Sequence, residues 1–204
     1  QRAFRAAQEQ FYEALEATAH ESADRPAADF LDRASPWAAL IGAVSTYVNG
    51  CELAQLSTKD FSNYRDSGVN YRIVEGYGAL IARLADDIPA VYDCPVHRID
   101  RSGVRIRIET AKGAISARVV IVCVPTNILA REILRIGPAL PDKLDAAARL
   151  PLGIADKLFI AVERAEDLPD NSRLFGRTDR TDTGAYHLRP FGRPMIEGYF
   201  GGDC

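Results

Sequence analysis

The sequence predicts an α+β protein, a mixed β-sheet flanked by helices, and three observations predict it. The first seventy residues carry apolar side chains at three- and four-residue steps, the period of a helix. Beyond the Gly-x-Gly of residues 76–78 the character changes to strand, most clearly in VRIRIE, where Val104, Ile106 and Ile108 alternate with charged neighbours. Helices and strand meanders come in runs, which argues against a doubly wound parallel sheet. A chain of 204 residues is long enough to bury a real core.

The elements follow in order. Residues 1–20, QRAFRAAQEQFYEALEATAH, place Phe4, Ala7, Phe11, Leu15 and Thr18 on one stripe, an amphipathic helix. Helix is expected again over 29–48, interrupted at Ser35-Pro36, where the serine caps and the proline takes the first helical position. Ser57 in STKDF caps another short helix.

Residues 73–84, IVEGYGALIARL, raise the question of a nucleotide-binding turn. A dinucleotide fingerprint needs a third glycine, where this chain has Ile81. It also needs an acidic residue about 20 positions on, where Pro95, Val96 and His97 stand. Gly76 or Gly78 is therefore read as a structural turn into a helix over 79–85.

VRIRIE turns at Lys112-Gly113 into VVIVCVP, read as a strand buried on both faces and ending on Pro125. Helices over 126–134 and 141–150 precede DKLFIAV. In that strand Leu158, Ile160 and Val162 share one face, and Lys157, Phe159 and Ala161 the other. RLFGR, GAYHLRPF and PMIEGYF supply the last strands.

Composition excludes several function classes. A net charge of −3 with both signs interspersed leaves no basic tract for nucleic acid. Cys51, Cys94, Cys123 and Cys204 are far apart, as are His20, His97 and His187, so neither CxxC nor metal-ligand spacing occurs. Scattered thiols read as reduced, which points to a cytoplasmic location. The longest apolar runs, 37–44 and 119–125, are too short for a bilayer. The chain opens on Gln1 without a methionine and stops after Gly201-Gly202, which reads as a piece of a longer polypeptide.

One ordered set of segments carries a resemblance: EGYGALIARLA, PVHRID, VRIRIETAKG, ARVVIVCVP with PALPDKL, and RLPLGIADKLFIAV. In that order they resemble the middle of flavin-dependent amine oxidases, a group that includes monoamine and polyamine oxidases and flavin-type histone lysine demethylases. The resemblance spans 71–163 and extends loosely to GAYHL and MIEGYFGG. It implies the substrate domain of an FAD-dependent amine oxidase-like oxidoreductase, with 1–70 as its mainly helical segment and 71–204 as a mixed-sheet portion bearing FAD-facing strands. Nothing here matches the family's N-terminal FAD fingerprint, and its C-terminal flavin and aromatic region is absent too. This stretch alone is not expected to retain FAD.

Site residues are carried over position by position. The resemblance implies that Val96, in PVHRID, meets FAD through its backbone, and that Cys123, Val124 and Pro125 form the strand-to-helix turn beside the cofactor. On residues alone, Val96 is an ordinary strand valine and Cys123 a small hydrophobe. An alternating strand lysine by itself reads as a solvated charge. GIADKLFIAV nevertheless places Lys157 at the family's lysine that holds water against flavin N5. A fixed cation there stabilises developing negative charge, and burial would make it a proton partner as well. Tyr186, Phe175 and Leu188 are the candidate substrate-pocket residues, although each also reads as an exposed or core side chain.

AVERAEDLPDNS lacks the Phe-Trp pair common in the family after the lysine strand, which leaves the outer pocket wall undefined. The implied partner is a small-molecule amine, with no nucleic acid and no membrane. Apolar surfaces left bare by truncation are expected to favour self-association. Three alternatives stay open: a flavoprotein desaturase or other isoprenoid oxidoreductase, a binding module without chemistry, and a degenerate relative that binds flavin without turnover.

Overall fold

The computed structural model describes residues 2–20 and 23–203. Gln1, Glu21, Ser22 and Cys204 lie outside the described residues, as do the side chains of Ala19 and His20. The chain divides into two units, Gln1–Val74 with Gly153–Cys204, and Glu75–Leu152.

The first unit opens with helix α1, Arg2–Glu16, whose Phe4, Phe11 and Leu15 are buried on the expected stripe. Thr18 ends that stripe, its hydroxyl donating to the Leu15 carbonyl at 2.7 Å. The helix expected over 29–48 forms only in part: residues Ala27–Phe30 make a single 3-10 turn, and α2 spans Ala38–Asn49. Pro36 disfavours a helical residue before it. The Asp32 carboxylate meanwhile accepts the Ala34 amide at 3.0 Å, fixing a turn. Ser35 accepts the Trp37 amide at 3.3 Å, so it closes this turn and does not cap α2. Helix α3, Thr58–Asn63, is capped as expected, with Ser57 accepting the Asp60 amide at 3.0 Å. Phe4, Phe11, Leu15, Leu40, Ile41 and Leu53 fill the core of these helices.

The second unit begins with a helix over Tyr77–Leu84, here α4, entered through Gly76 at φ 97°. That positive φ suits glycine, and it makes Gly76 the turn residue of the Gly-x-Gly. Strands β1 (Val96–Asp100), β2 (Ile106–Thr110), β3 (Gly113–Ala117) and β4 (Arg135–Gly137) form a sheet in the order β3-β2-β1-β4. Only the β1–β4 pair is parallel, so the sheet is mixed. The Lys112 amide donates to the Thr110 hydroxyl at 3.1 Å where β2 turns into β3.

Two expectations fail in this unit. Residues 119–125 are not a strand buried on both faces: they pair with no strand among the described residues, and Val119 and Ile121 are 75% and 83% exposed. β1 is already hydrogen-bonded on both sides, by β2 and β4. Apolarity in a sequence reports a demand for burial, whereas a strand also needs a partner's ladder. The helix expected over 126–134 stops early: α5 covers Thr126–Ala130, because Glu132 takes φ 50° and leaves helical space. Helix α6, Pro141–Ala148, starts on its proline as expected.

The first unit closes with β5 (Ala155–Ala161), β6 (Ser172–Phe175), β7 (Ala185–Leu188) and β8 (Met195–Gly201), antiparallel in the order β5-β8-β7-β6. β8 runs against α2 so closely that a Cβ on Gly201 would lie 1.9 Å from the Thr46 carbonyl oxygen. Among the described residues no helix is long and apolar enough to cross a membrane.

Both groups at the Gly201 contact are backbone, so an added methyl cannot be relieved by a rotamer change. Gly201→Ala is expected to lower stability by about 1–3 kcal/mol. Urea unfolding followed by far-UV circular dichroism should show a lower midpoint at unchanged slope.

Candidate functional site

Residues paired across neighbouring strands project to the same side, so register sorts the β5-β8-β7-β6 sheet into two faces. One face carries the rows Lys157, Tyr199, Ala185, Phe175 and Phe159, Glu197, His187, Arg173. The other carries Leu158, Gly198, Tyr186, Leu174 and Ile160, Ile196, Leu188, Ser172.

The first face holds a linked set of polar side chains. Glu197, in the middle of β8, is 5% exposed, and His187, its register partner on β7, is 4% exposed. Arg72 donates to Glu197 Oε2 at 2.5 Å and, through its other terminal nitrogen, to His187 Nδ1. Since Nδ1 accepts, the imidazole proton sits on Nε2, which donates to Asn171 Oδ1 at 2.8 Å. Tyr199 donates its hydroxyl to the same Glu197 Oε2 at 2.7 Å. Above Tyr199, the Lys157 ammonium stands 4.8 Å from the ring centroid.

This arrangement sets the charge states. Burial pushes the Glu197 carboxyl up, but the hydrogen bonds from Tyr199 and Arg72 and the charges of Arg72 and Lys157 outweigh it, leaving it below the usual range. Burial pushes His187 down, as do Arg72 and Arg173, against the opposing pull of Glu197. Burial and the bond to Glu197 push the Tyr199 phenol up. The result is a carboxylate, a neutral imidazole and a neutral phenol packed beneath an ammonium.

Of the expected site residues in this unit, the structure places Lys157 and Phe175 on one face and Tyr186 and Leu188 on the other. Phe175 packs edge-on against Phe4 at 5.5 Å and lines a cavity of about 440 Å³ with Trp37, Leu40 and Arg173. Tyr186 meets Phe200 edge-on at 5.9 Å, and Leu188 is buried. Lys157 is exposed, on a strand exposed along its whole length, so the burial invoked for a second role as proton partner is absent. None of these four lines the groove of about 1210 Å³ bounded by Tyr12, Glu16, Asp60, Phe61 and Tyr64.

In the unit Glu75–Leu152, Val96 begins β1, half-open and paired with Thr110 beside a register irregularity. Cys123 is exposed and Val124 half-buried, and Pro125 occupies the N-cap position of α5. Sequence reasoning missed Arg72, Asn171, Glu197 and Tyr199. A signal existed for Glu197, a lone charge inside PMIEGYF, and for its strand neighbour His187 inside GAYHL, since an ionisable group in an apolar strand demands a partner.

Three comparisons bear on this geometry. The family described as flavin containing amine oxidoreductase matches residues 2–203. Among curated proteins, the chain is 30% identical over 120 residues to lysine-specific histone demethylase 1B of Mus musculus, covering 56% of this chain and 14% of that protein. It is 29% identical over 120 residues to lysine-specific histone demethylase 2 of Homo sapiens, covering 56% of this chain and 15% of that one. Among solved structures, cyclohexylamine oxidase from Brevibacterium oxydans IH-35A superposes with a TM-score of 0.57 at 18% identity, over 98% of this chain and 51% of that one. The match thus spans about a seventh of the curated relatives and half of the solved oxidase.

Stability is expected to follow the charge states. The lowered His187 value contributes stability that is complete above about pH 6.5 and is lost as pH falls through its folded value. The lowered Glu197 value contributes above about pH 4.5 and is lost below it. Urea midpoints should therefore fall from pH 7.5 to pH 5, and His187→Gln should flatten the upper part of that fall. Arg72→Met leaves the buried carboxylate short of its cation and should cost toward the lower end of about 3–5 kcal/mol at pH 7.5, since Arg72 is partly exposed.

Proposed function

This chain belongs to the flavin-containing amine oxidoreductase family, and from that premise we propose that it is part of an FAD-dependent enzyme oxidising amines to imines. The family match along nearly the whole chain carries the reading, supported by the open ammonium of Lys157 on β5. The names of the relatives support the substrate class, since demethylation of a lysine and oxidation of cyclohexylamine both act on an amine.

The residues present fit a flavin by the chemistry of their groups. Lys157 offers an exposed ammonium with donor protons, which suits a group that gains negative charge on reduction. Val96, Cys123 and Pro125 are exposed, as a surface that receives a cofactor must be. When bound, the flavin accepts the two electrons removed from the amine C–N unit and returns them to an acceptor, here taken as O2.

In the proposed reaction Lys157 would donate to a water beside the flavin and stabilise negative charge there. Val96 and the Cys123 to Pro125 turn would contact the cofactor. Tyr186, Phe175 and Leu188 remain the proposed substrate-side residues, although Tyr186 and Leu188 face away from Phe175 across the sheet. Water hydrolyses the imine after release. The proposal includes a cytoplasmic location, resting on the scattered cysteines, and self-association through exposed apolar surface.

Anaerobic addition of an amine panel to the full-length protein is expected to bleach the flavin absorbance bands, while flavin bands that no amine bleaches would sink the amine reading. Lys157→Met should slow flavin reoxidation by O2 by about tenfold or more, read by stopped-flow absorbance. Unchanged turnover and reoxidation would remove Lys157 from the mechanism.

A further inference from the structure

We propose that Tyr199 is a positioning residue for Lys157, and that Glu197 fixes Tyr199 in that role; this rests on the assignment of Lys157 above. An exposed lysine on a strand ordinarily samples many rotamers, and an ammonium that must act at one point gains from being held. Lys157 and Tyr199 are register partners on adjacent strands, which brings their side chains together on one face. The ammonium lies 4.8 Å from the ring centroid, within reach of the negative face of the phenol ring.

The ring is itself fixed. Tyr199 donates to Glu197 Oε2 at 2.7 Å, and Arg72 donates to the same oxygen at 2.5 Å. Arg72 is in turn held against His187, whose other nitrogen is tied to Asn171. An otherwise mobile cation therefore rests on a ring whose hydroxyl is anchored in the buried layer of the sheet. The carboxylate adds an attractive charge diagonally beneath Lys157. Rotamer restriction and charge both act in one direction: they keep the ammonium on the face of the sheet that carries Tyr199.

Within residues 1–204 Lys157 has three other lysines for comparison, Lys59, Lys112 and Lys143. Reductive methylation of the full-length protein with 13C-formaldehyde keeps each ammonium charged and gives each lysine a resolvable methyl signal. The Lys157 methyls, assigned through Lys157→Arg, should lie upfield of those of Lys59, Lys112 and Lys143 because of the ring current of Tyr199. They should also show nuclear Overhauser contacts to the Tyr199 ring. Tyr199→Phe keeps the ring but loses the bond to Glu197, so the upfield shift should shrink, and Tyr199→Leu should abolish it. In the flavin-loaded protein, Tyr199→Leu should slow reoxidation by O2 about two- to fivefold, the scale of an exposed cation–π contact, with Tyr199→Phe between it and wild type.

A Lys157 signal among the other lysines in the wild-type protein, without ring contacts, would overturn the proposal whether or not the leucine variant folds. A leucine variant that reoxidises at the wild-type rate while Lys157→Met is slow would overturn it too. If Lys157→Met changes nothing, the assignment of Lys157 fails, and the methyl signal still reports whether Tyr199 holds the side chain.

Discussion

A carboxylate sits in the middle of β8, buried from water, and the sheet around it is organised to keep it charged. Moving an ion out of water costs several kcal/mol unless geometry supplies a counter-charge and hydrogen bonds. Glu197 receives both, from Arg72 and from Tyr199. The requirement spreads outward. Arg72 draws a segment far from β8 in sequence onto the sheet, where Arg193 also donates to the Val74 carbonyl. His187 must stay neutral to accept from Arg72, and Asn171, at φ 46°, accepts the hydrogen bond from Nε2 on its far side. Tyr199 must keep its proton to donate. The buried charge thus helps keep the proton on Tyr199 and draws in Arg72, and burial together with Arg72 keeps His187 neutral.

The same sheet shows a division of labour between its faces. The face bearing Glu197 is polar at its centre and ends in the exposed ammonium of Lys157 over the Tyr199 ring. The opposite face carries Tyr186, Leu188 and Ile196 and is held by apolar packing and an aromatic edge contact. One strand cannot serve both purposes with one residue, and period-two alternation lets β8 place Glu197 and Tyr199 on one side and Ile196 and Phe200 on the other. The close approach of Gly201 to Thr46 ties the end of this strand to α2, so the polar layer rests on the helical core of Phe4, Phe11 and Leu15.

In the unit Glu75–Leu152 the mixed sheet satisfies its central strand from both sides and leaves much apolar side chain uncovered. Helix α4 has no buried residue, although Leu80 and Ile81 lie on it, and Val119 and Ile121 stand in extended chain. Apolar surface of this kind is costly in water at about 25 cal/mol per Å².

Much of this was legible in the residues. Period 3.6 located α1, the Ser57 cap located α3, the Gly-x-Gly of residues 76–78 located the turn into α4, and Pro141 located the start of α6, because each depends on interactions within a few residues of sequence. Alternation likewise sorted Lys157 from Leu158 before any partner strand was known. The resemblance carried by five ordered segments gave the family. What sequence could not give was whatever depends on the identity of a distant neighbour. Residues 119–125 have the composition of a buried strand, but composition does not supply a ladder. Lys157 alternates correctly, but only the β5–β8 register sets it over Tyr199. The pairing of Arg72 with Glu197 spans 125 positions, and no local pattern encodes it, because the electrostatic demand of a buried charge names a type of partner and leaves its location to the tertiary fold.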